Sequence, residues 1–368
     1  MAKKLMWDRT LLLAVLGLIT IGIPMVFSSS ALIAQKLGKS PYFFLTRQLI
    51  WAFLGFVIMM FFLFIDYIYL KSKFINWGSL VFAAGMLTYV LFSSASIKRW
   101  MRIGGFSFQP SEFAKVAVVL FLAYSLQNVT LPIRLKKVLF VSMPVVIIVA
   151  LIVVEPDLGT GFLIALVLMT MLFIVGLDKK YIALFGIVGI ILLMVTVQLY
   201  NYRMDRLNAW WNQIKGVQEQ GTDTAAAAFQ LEQAKIAVGS GGIQGLGFGN
   251  SLQKLFYLPQ PHNDFIFSIL AEELGLMGTI SIWLLYLFIF IKGMMIAKRF
   301  PDRYGSYVAL GVTLMLIYQS LINISVVLGL MPTKGIPLPF ISSGGSSLMM
   351  SLLSVGILLN LSQHISKE

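Results

Sequence analysis

Residues 258–291 read LPQPHNDFIFSILAEELGLMGTISIWLLYLFIFI, a proline-broken polar step that drops at Asp264 into an apolar run. That run exceeds the roughly 20 residues a helix needs to cross a bilayer. It places one carboxylate at the water boundary of a membrane helix. Burial in the helix mouth favours the neutral form of such a group, whereas water and the positive helix N-terminus favour the charged one. Small changes can therefore set its pKa, which suits a general base. Asp is also a preferred helix N-cap, and a cap alone would account for it.

Working outward, the same apolar character recurs along all 368 residues, 58% of which are hydrophobic and only 12% charged. A soluble surface cannot be built from so few charges. The fold expected is all-α and polytopic, with ten spans at 11–29, 48–65, 75–93, 111–127, 138–154, 158–176, 181–199, 264–291, 305–329 and 344–362. The first span resembles a signal peptide but is longer than a typical apolar core of about 7–15 residues, so it is read as an uncleaved helix. Ten spans put both termini on one side. On the short segments of that side lie fourteen cations: Lys3, Lys4, Arg9, Lys71, Lys73, Arg134, Lys136, Lys137, Lys179, Lys180, Lys298, Arg299, Arg303 and Lys367. Opposite lie seven: Lys36, Lys39, Arg47, Lys98, Arg99, Arg102 and Lys334. The positive-inside rule then gives N-in, C-in. The net charge of +13 is explained by topology and anionic-lipid contact, and no nucleic-acid partner is needed.

Zero cysteines exclude disulfides and thiolate catalysis, and two distant histidines argue against a His-based metal site. No internal repeat of the inverted-transporter kind is visible.

Residues 200–263 form a long loop on the outer side, and a loop of that size is a prior for function. It holds Trp210 and Trp211, expected as interfacial anchors, a helix from Ala225 to about Val238, and a glycine series from Gly239 to Gly249. The glycines follow no strand and lack the Lys-Ser/Thr of a P-loop, so tight turns are the expectation.

Ionisable residues within spans are costly and are functional hypotheses by default. Glu112 and Lys115, at i and i+3, share a helix face and are close enough to pair, either as a structural ion pair or as part of a site. Glu155 and Asp157 flank Pro156 at an outer turn, where turn chemistry and a site role weigh equally. At about 100° per residue, Ser268, Ala271, Gly275 and Gly278 fall beneath Asp264 as a small-residue stripe, a lipid-chain groove or a packing face. Glu272 and Glu273 are expected to pair with neighbouring helices. In the loop 330–347, three prolines break any helix, and such backbone at membrane depth must be buried in protein or line a cavity. Lys334 lies on its rim. Asp264, Glu112, Lys115, Asp157, Arg99 and Lys334 thus gather at one face, a mixture fitted to an anionic headgroup such as a diphosphate.

Four segments carry a family resemblance: QPSEFAK (109–115), EPDLGT (155–160), FYLPQPHNDFIF (256–267) with EELG (272–275), and PTKGIPLPFISSGGSS (332–347). In order and across the whole chain they resemble the signatures of the SEDS family (shape, elongation, division and sporulation), the FtsW, RodA and SpoVE proteins. The resemblance implies a single ten-helix membrane domain over 1–368. It also implies a peptidoglycan glycosyltransferase in the bacterial cytoplasmic membrane that polymerises lipid II, working with a class B penicillin-binding protein. It makes Asp264 the catalytic carboxylate and Glu112, Lys115, Asp157, Arg99, Lys334 and Ser343 cavity residues. Two positions depart from the family pattern, Asn263 where Thr is usual and Ser343 where Tyr is usual. The wording around Lys334 and Leu258 leans toward the division branch.

The chemistry implied is attack by the GlcNAc 4-hydroxyl on C1 of MurNAc, with inversion and loss of undecaprenyl diphosphate. One base and cationic support for the leaving group suffice. No obligatory cofactor is expected. A divalent cation, Mg or Mn, could support the diphosphate, although no dedicated cage is visible. A lipid II flippase would use the same charges but needs polar groups through the whole depth, and a non-catalytic scaffold for the penicillin-binding protein would leave Asp264 dispensable.

Overall fold

The computed structural model describes residues 7–93, 99–103, 106–129, 135–198, 200–215, 222–255, 258 and 261–365. Lys3, Lys4, Lys98, Arg134, Lys367 and four motif residues, Phe256, Tyr257, Pro259 and Gln260, lie outside them. The chain is helical almost throughout. Its elements are α1 (Arg9–Lys36), α2 (Phe43–Phe64), α3 (Tyr67–Leu70), α4 (Lys73–Phe92), a hairpin of β1 (Met101–Ile103) and β2 (Phe106–Phe108), α5 (Pro110–Leu126), α6 (Leu135–Val154), α7 (Leu158–Val175), α8 (Lys179–Gln198), α9 (Asn201–Lys215), α10 (Thr222–Ser240), α11 (Ile266–Arg299), α12 (Arg303–Val327) and α13 (Gly345–Ser362).

Among the described residues nine helices are long and apolar enough to cross a membrane. The remaining expected span, α5, is 17 residues long and buried along most of its length. Of the nine, α12 and α13 are the most enclosed, with 78% and 83% of their apolar windows buried, whereas α8 has only 6% buried and presents its sides outward. Apolar side chains on α8 gain nothing from a protein core, which is how a peripheral helix in lipid is expected to look.

Two features set up the face that carries the long loop. Helix α11 is interrupted at Gly275, whose φ of +64° belongs to the left-handed region. At the break residues 242–247 of the long loop dock by main chain alone. Leu246 N donates to Glu272 O at 2.9 Å, Gly247 N to Glu273 O at 3.0 Å, Leu276 N to Gly242 O at 2.9 Å and Met277 N to Ile243 O at 3.2 Å. A Cβ on Gly275 would lie 2.3 Å from Gly245 N, so side chains are excluded from the contact. The small-residue stripe is therefore no lipid groove. The helix turns at Gly275, which breaks the projection, and Gly241 packs against the Ala271 carbonyl where the groove would run.

The glycine series makes turns, with positive φ at Gly242, Gly245, Gly247 and Gly249. The same docking corrects the partners of two acids. Glu273 pairs with Lys254 of the loop at 2.8 Å and accepts from Ser28 of α1 at 2.6 Å. Glu272 accepts from Ser251 Oγ and from Leu252 N at 2.9 Å. Each glutamate draws on the loop, and only Glu273 also reaches a neighbouring helix. Trp210 is a tether more than an interfacial anchor, donating Nε1 to Gly329 O at 2.9 Å, while Trp211 stays exposed.

Candidate active site

Asp264 stands two residues ahead of α11, and it caps nothing. The N-cap position belongs to Phe265, which makes no side-chain capping bond. The backbone of Asp264 is fixed by Asn323 of α12, whose Nδ2 donates to Asp264 O at 2.8 Å and to Ile336 O at 2.7 Å. One turn earlier, Gln319 Nε2 donates to Pro337 O at 2.9 Å. These amides, at i and i+4, bolt the 332–344 loop beside the carboxylate. From the other side Ser343 N donates to His262 O at 2.9 Å, and Gln48 Nε2 to Ser342 O at 3.2 Å. Exposed Gly335 faces the carboxylate, and a Cβ there would lie 2.8 Å from Asp264 Oδ2. A side chain there would press on the carboxylate and narrow that mouth.

Asp264 is half-buried. Burial pushes its carboxyl up to about 6, Asp157 adds to the rise, and Arg206 and Arg99 oppose it. The charge around it is mixed. Asp157 is buried and fully engaged, capping α7 through Thr160 N at 3.1 Å and accepting from Gln109 Nε2 at 2.9 Å and Ser111 Oγ at 3.2 Å. Arg99 donates Nε to Glu155 O at 3.2 Å. Helix α9 delivers two further cations one turn apart. Arg203 donates to Val153 O at 2.7 Å and to Thr196 O at 3.1 Å, and Arg206 donates to Thr333 O at 3.1 Å. Lys334 lies 5.0 Å from the Phe162 ring, and burial with Arg203 nearby pulls its ammonium down to about 8.

Of the residues expected from sequence, Asp264, Asp157, Arg99 and Lys334 share this electrostatic neighbourhood, and Ser343 joins it through its main chain. Glu112 and Lys115 lie deeper. Their ion pair spans 2.8 Å with exposures of 2% and 4%, and Lys115 Nζ also donates to Gln319 Oε1 at 2.5 Å. Glu112 Oε2 feels the ammonium's charge at that distance yet accepts no well-directed hydrogen bond. The pair thus acts on the loop through Gln319. Among the described residues no three His, Cys, Asp or Glu side chains form a group able to hold a metal ion.

Sequence reasoning missed Arg203, Arg206, Gln319 and Asn323. The amides carried a readable signal, since two of them one turn apart inside an apolar helix are expensive unless satisfied.

The family model described as "Cell cycle protein", FTSW_RODA_SPOVE, matches residues 9–367. The chain belongs to that family. Similar relatives include a probable peptidoglycan glycosyltransferase FtsW of Geobacter sulfurreducens, 36% identical over 98% of this chain and 96% of that one. The stage V sporulation protein E of Bacillus subtilis is 38% identical over 98% of each. Relatives named FtsW and stage V sporulation protein E thus stand at similar identity. The family fold is shared with two solved structures. One is described as a peptidoglycan synthase complex coordinating polymerization and crosslinking (TM-score 0.77, 23% identity, 97% of both chains). The other is the rod shape determining protein RodA of Thermus thermophilus (TM-score 0.72, 23% identity, 98% of both).

Proposed function

We propose that this chain is a peptidoglycan glycosyltransferase that polymerises lipid II on the outer face of the bacterial cytoplasmic membrane, with Asp264 as general base. The observation that carries the reading is the state of Asp264: held by its backbone, spent on no helix cap, open under Gly335, and raised to about 6 beside several cations. A base with that pKa is ionised at neutral pH yet still basic enough to accept a proton in a transition state.

In the reaction, the acceptor's 4-hydroxyl oxygen bonds to C1 of the donor MurNAc as its proton passes to Asp264. The C1–O bond to the diphosphate breaks, and that oxygen leaves with the electron pair. Arg99, Arg203, Arg206 and Lys334 supply positive charge where the diphosphate's charge develops. Asp157, tied by Gln109, Ser111 and Thr160, keeps the turn before α7 rigid beneath them. Ten crossings with α5 counted as a span, N-in and C-in, would place this cluster outside. A class B penicillin-binding protein is the partner proposed, to crosslink the strands made here.

The test is polymerisation of labelled lipid II by purified full-length protein in detergent, with and without that partner. The expected product resists moenomycin and is lost in Asp264→Asn. A flippase would give no polymer where leaflets do not exist, and moenomycin sensitivity would trace the product to a contaminating transferase.

A further inference from the structure

The turn joining α6 to α7 holds a carboxylate that the proposed reaction leaves unused. Glu155 lies just beyond the end of α6, its side chain 1% exposed, and neither Oε1 nor Oε2 has a hydrogen-bond partner. A charge buried in that condition is costly, and the group escapes the cost by binding a proton. The cations nearby do not prevent this, because they are anchored elsewhere. Arg99 binds the main-chain carbonyl of Glu155 rather than its carboxylate. Arg203 spends donors on the carbonyls of Val153 and Thr196 and stacks on the Tyr200 ring at 4.4 Å. Both arginines thus grip carbonyls at the C-terminal end of α6, where the helix dipole is negative and attracts cations. Asp157, in the same turn, adds a like charge that makes an ionised Glu155 less favourable still.

We infer that Glu155 is carried as an uncharged carboxylic acid and is a positioning residue, leaving the Arg99 guanidinium unneutralised and available to the lipid-linked diphosphate. The inference rests on the proposed function for what Arg99 binds, but not for the protonation of Glu155. Among the described residues, the charged groups facing the turn are Arg99 from the segment before β1, Asp157 beside it and Arg203 from α9, with Asp264, Arg206 and Lys334 across the cluster. Burial first, and Asp157 second, push the Glu155 carboxyl up to about 8 against the pull of Arg99. Below that pH the acid is neutral and Arg99 serves the substrate. Above it a carboxylate appears beside Arg99 and competes for its charge.

Rate profiles alone cannot isolate this group, since Lys334 loses its proton in the same range. Infrared difference spectroscopy can, because among protein groups only a protonated carboxylic acid shows its carbonyl stretch above the amide bands, and lipid esters, which do not titrate, cancel in the difference. Full-length wild type in nanodiscs should show such a band bleaching as pH rises through about 8, and Glu155→Gln should lack it. Alongside, the KM for lipid II of the wild type should rise about fivefold across that interval, and E155Q should show a smaller rise with kcat little changed, as expected when one opposing charge is removed. No band bleaching there in the wild type, or the same band in E155Q, overturns the uncharged acid whether or not the protein polymerises anything. A correct band with identical KM profiles in the two proteins overturns the positioning role. Should E155Q not be recoverable, Glu155→Met, uncharged and of similar length, takes its place.

Discussion

Asn323 holds Asp264 without touching its carboxylate. Its Nδ2 donates to the Asp264 main-chain carbonyl at 2.8 Å and to Ile336 O at 2.7 Å, so one buried amide sets the separation between Asp264 and the 332–344 loop. Asn323→Ala strands two carbonyls, at a cost of about 1–3 kcal/mol each if they stay dry. The expected result is a folded but less stable protein whose kcat falls at least about tenfold while KM moves little, since misplacing a base harms the chemical step more than binding. A KM effect with normal kcat would assign Asn323 to the substrate.

Asp264→Asn should abolish polymerisation and stabilise the protein at the same time. The folded carboxyl is raised from 3.8 to about 6, so Asp264 costs stability once pH exceeds its unfolded value, with the full cost present above about 6. The melting temperature of the Asn variant should therefore exceed wild type at pH 7–8, and the two should converge near pH 4. A variant that melts lower at every pH would make Asp264 a structural residue.

Glu112 and Lys115 should behave as a unit. Each single Ala substitution leaves a buried charge uncompensated, a loss of about 3–5 kcal/mol, whereas the double change removes both charges. The double variant should be no worse than the poorer single one, in both melting temperature and polymer yield. Additive losses would point to separate roles.

Orientation is read by thiol labelling, because the native chain has no cysteine. Ile243→Cys, at an exposed loop position, should react with a membrane-impermeant reagent in intact cells, and Lys180→Cys should react only after lysis. The reverse pattern would put Asp264 in the cytoplasm and end the proposal of extracellular polymerisation.

The helices and the leading carboxylate were legible in the sequence because hydrocarbon tolerates few charges, so runs of apolar residues and the polar residues that interrupt them both stand out. Asp264 was visible for that reason, as was the Glu112–Lys115 spacing. The break at Gly275 was not. A glycine in an apolar helix is as consistent with close packing as with a left-handed kink, and the choice depended on residues 242–247, some thirty positions earlier. Arg203 and Arg206 escaped because α9 mixes charged and polar residues with apolar ones along its length, and nothing local distinguishes an arginine that points at a site from one that points at water.

The splice at Gly275 has a mechanical corollary. Four main-chain bonds, with no side chain among them, join the long loop to α11, two on the Asp264 side of Gly275 and two beyond it. Exposed side chains at Ile243, Gln244 and Leu246 are free to diversify without loosening the joint, so the loop can be remodelled for different company while its hold on α11 is kept. The joint clamps both sides of the break, so the kink and the loop cannot shift independently without giving up those bonds.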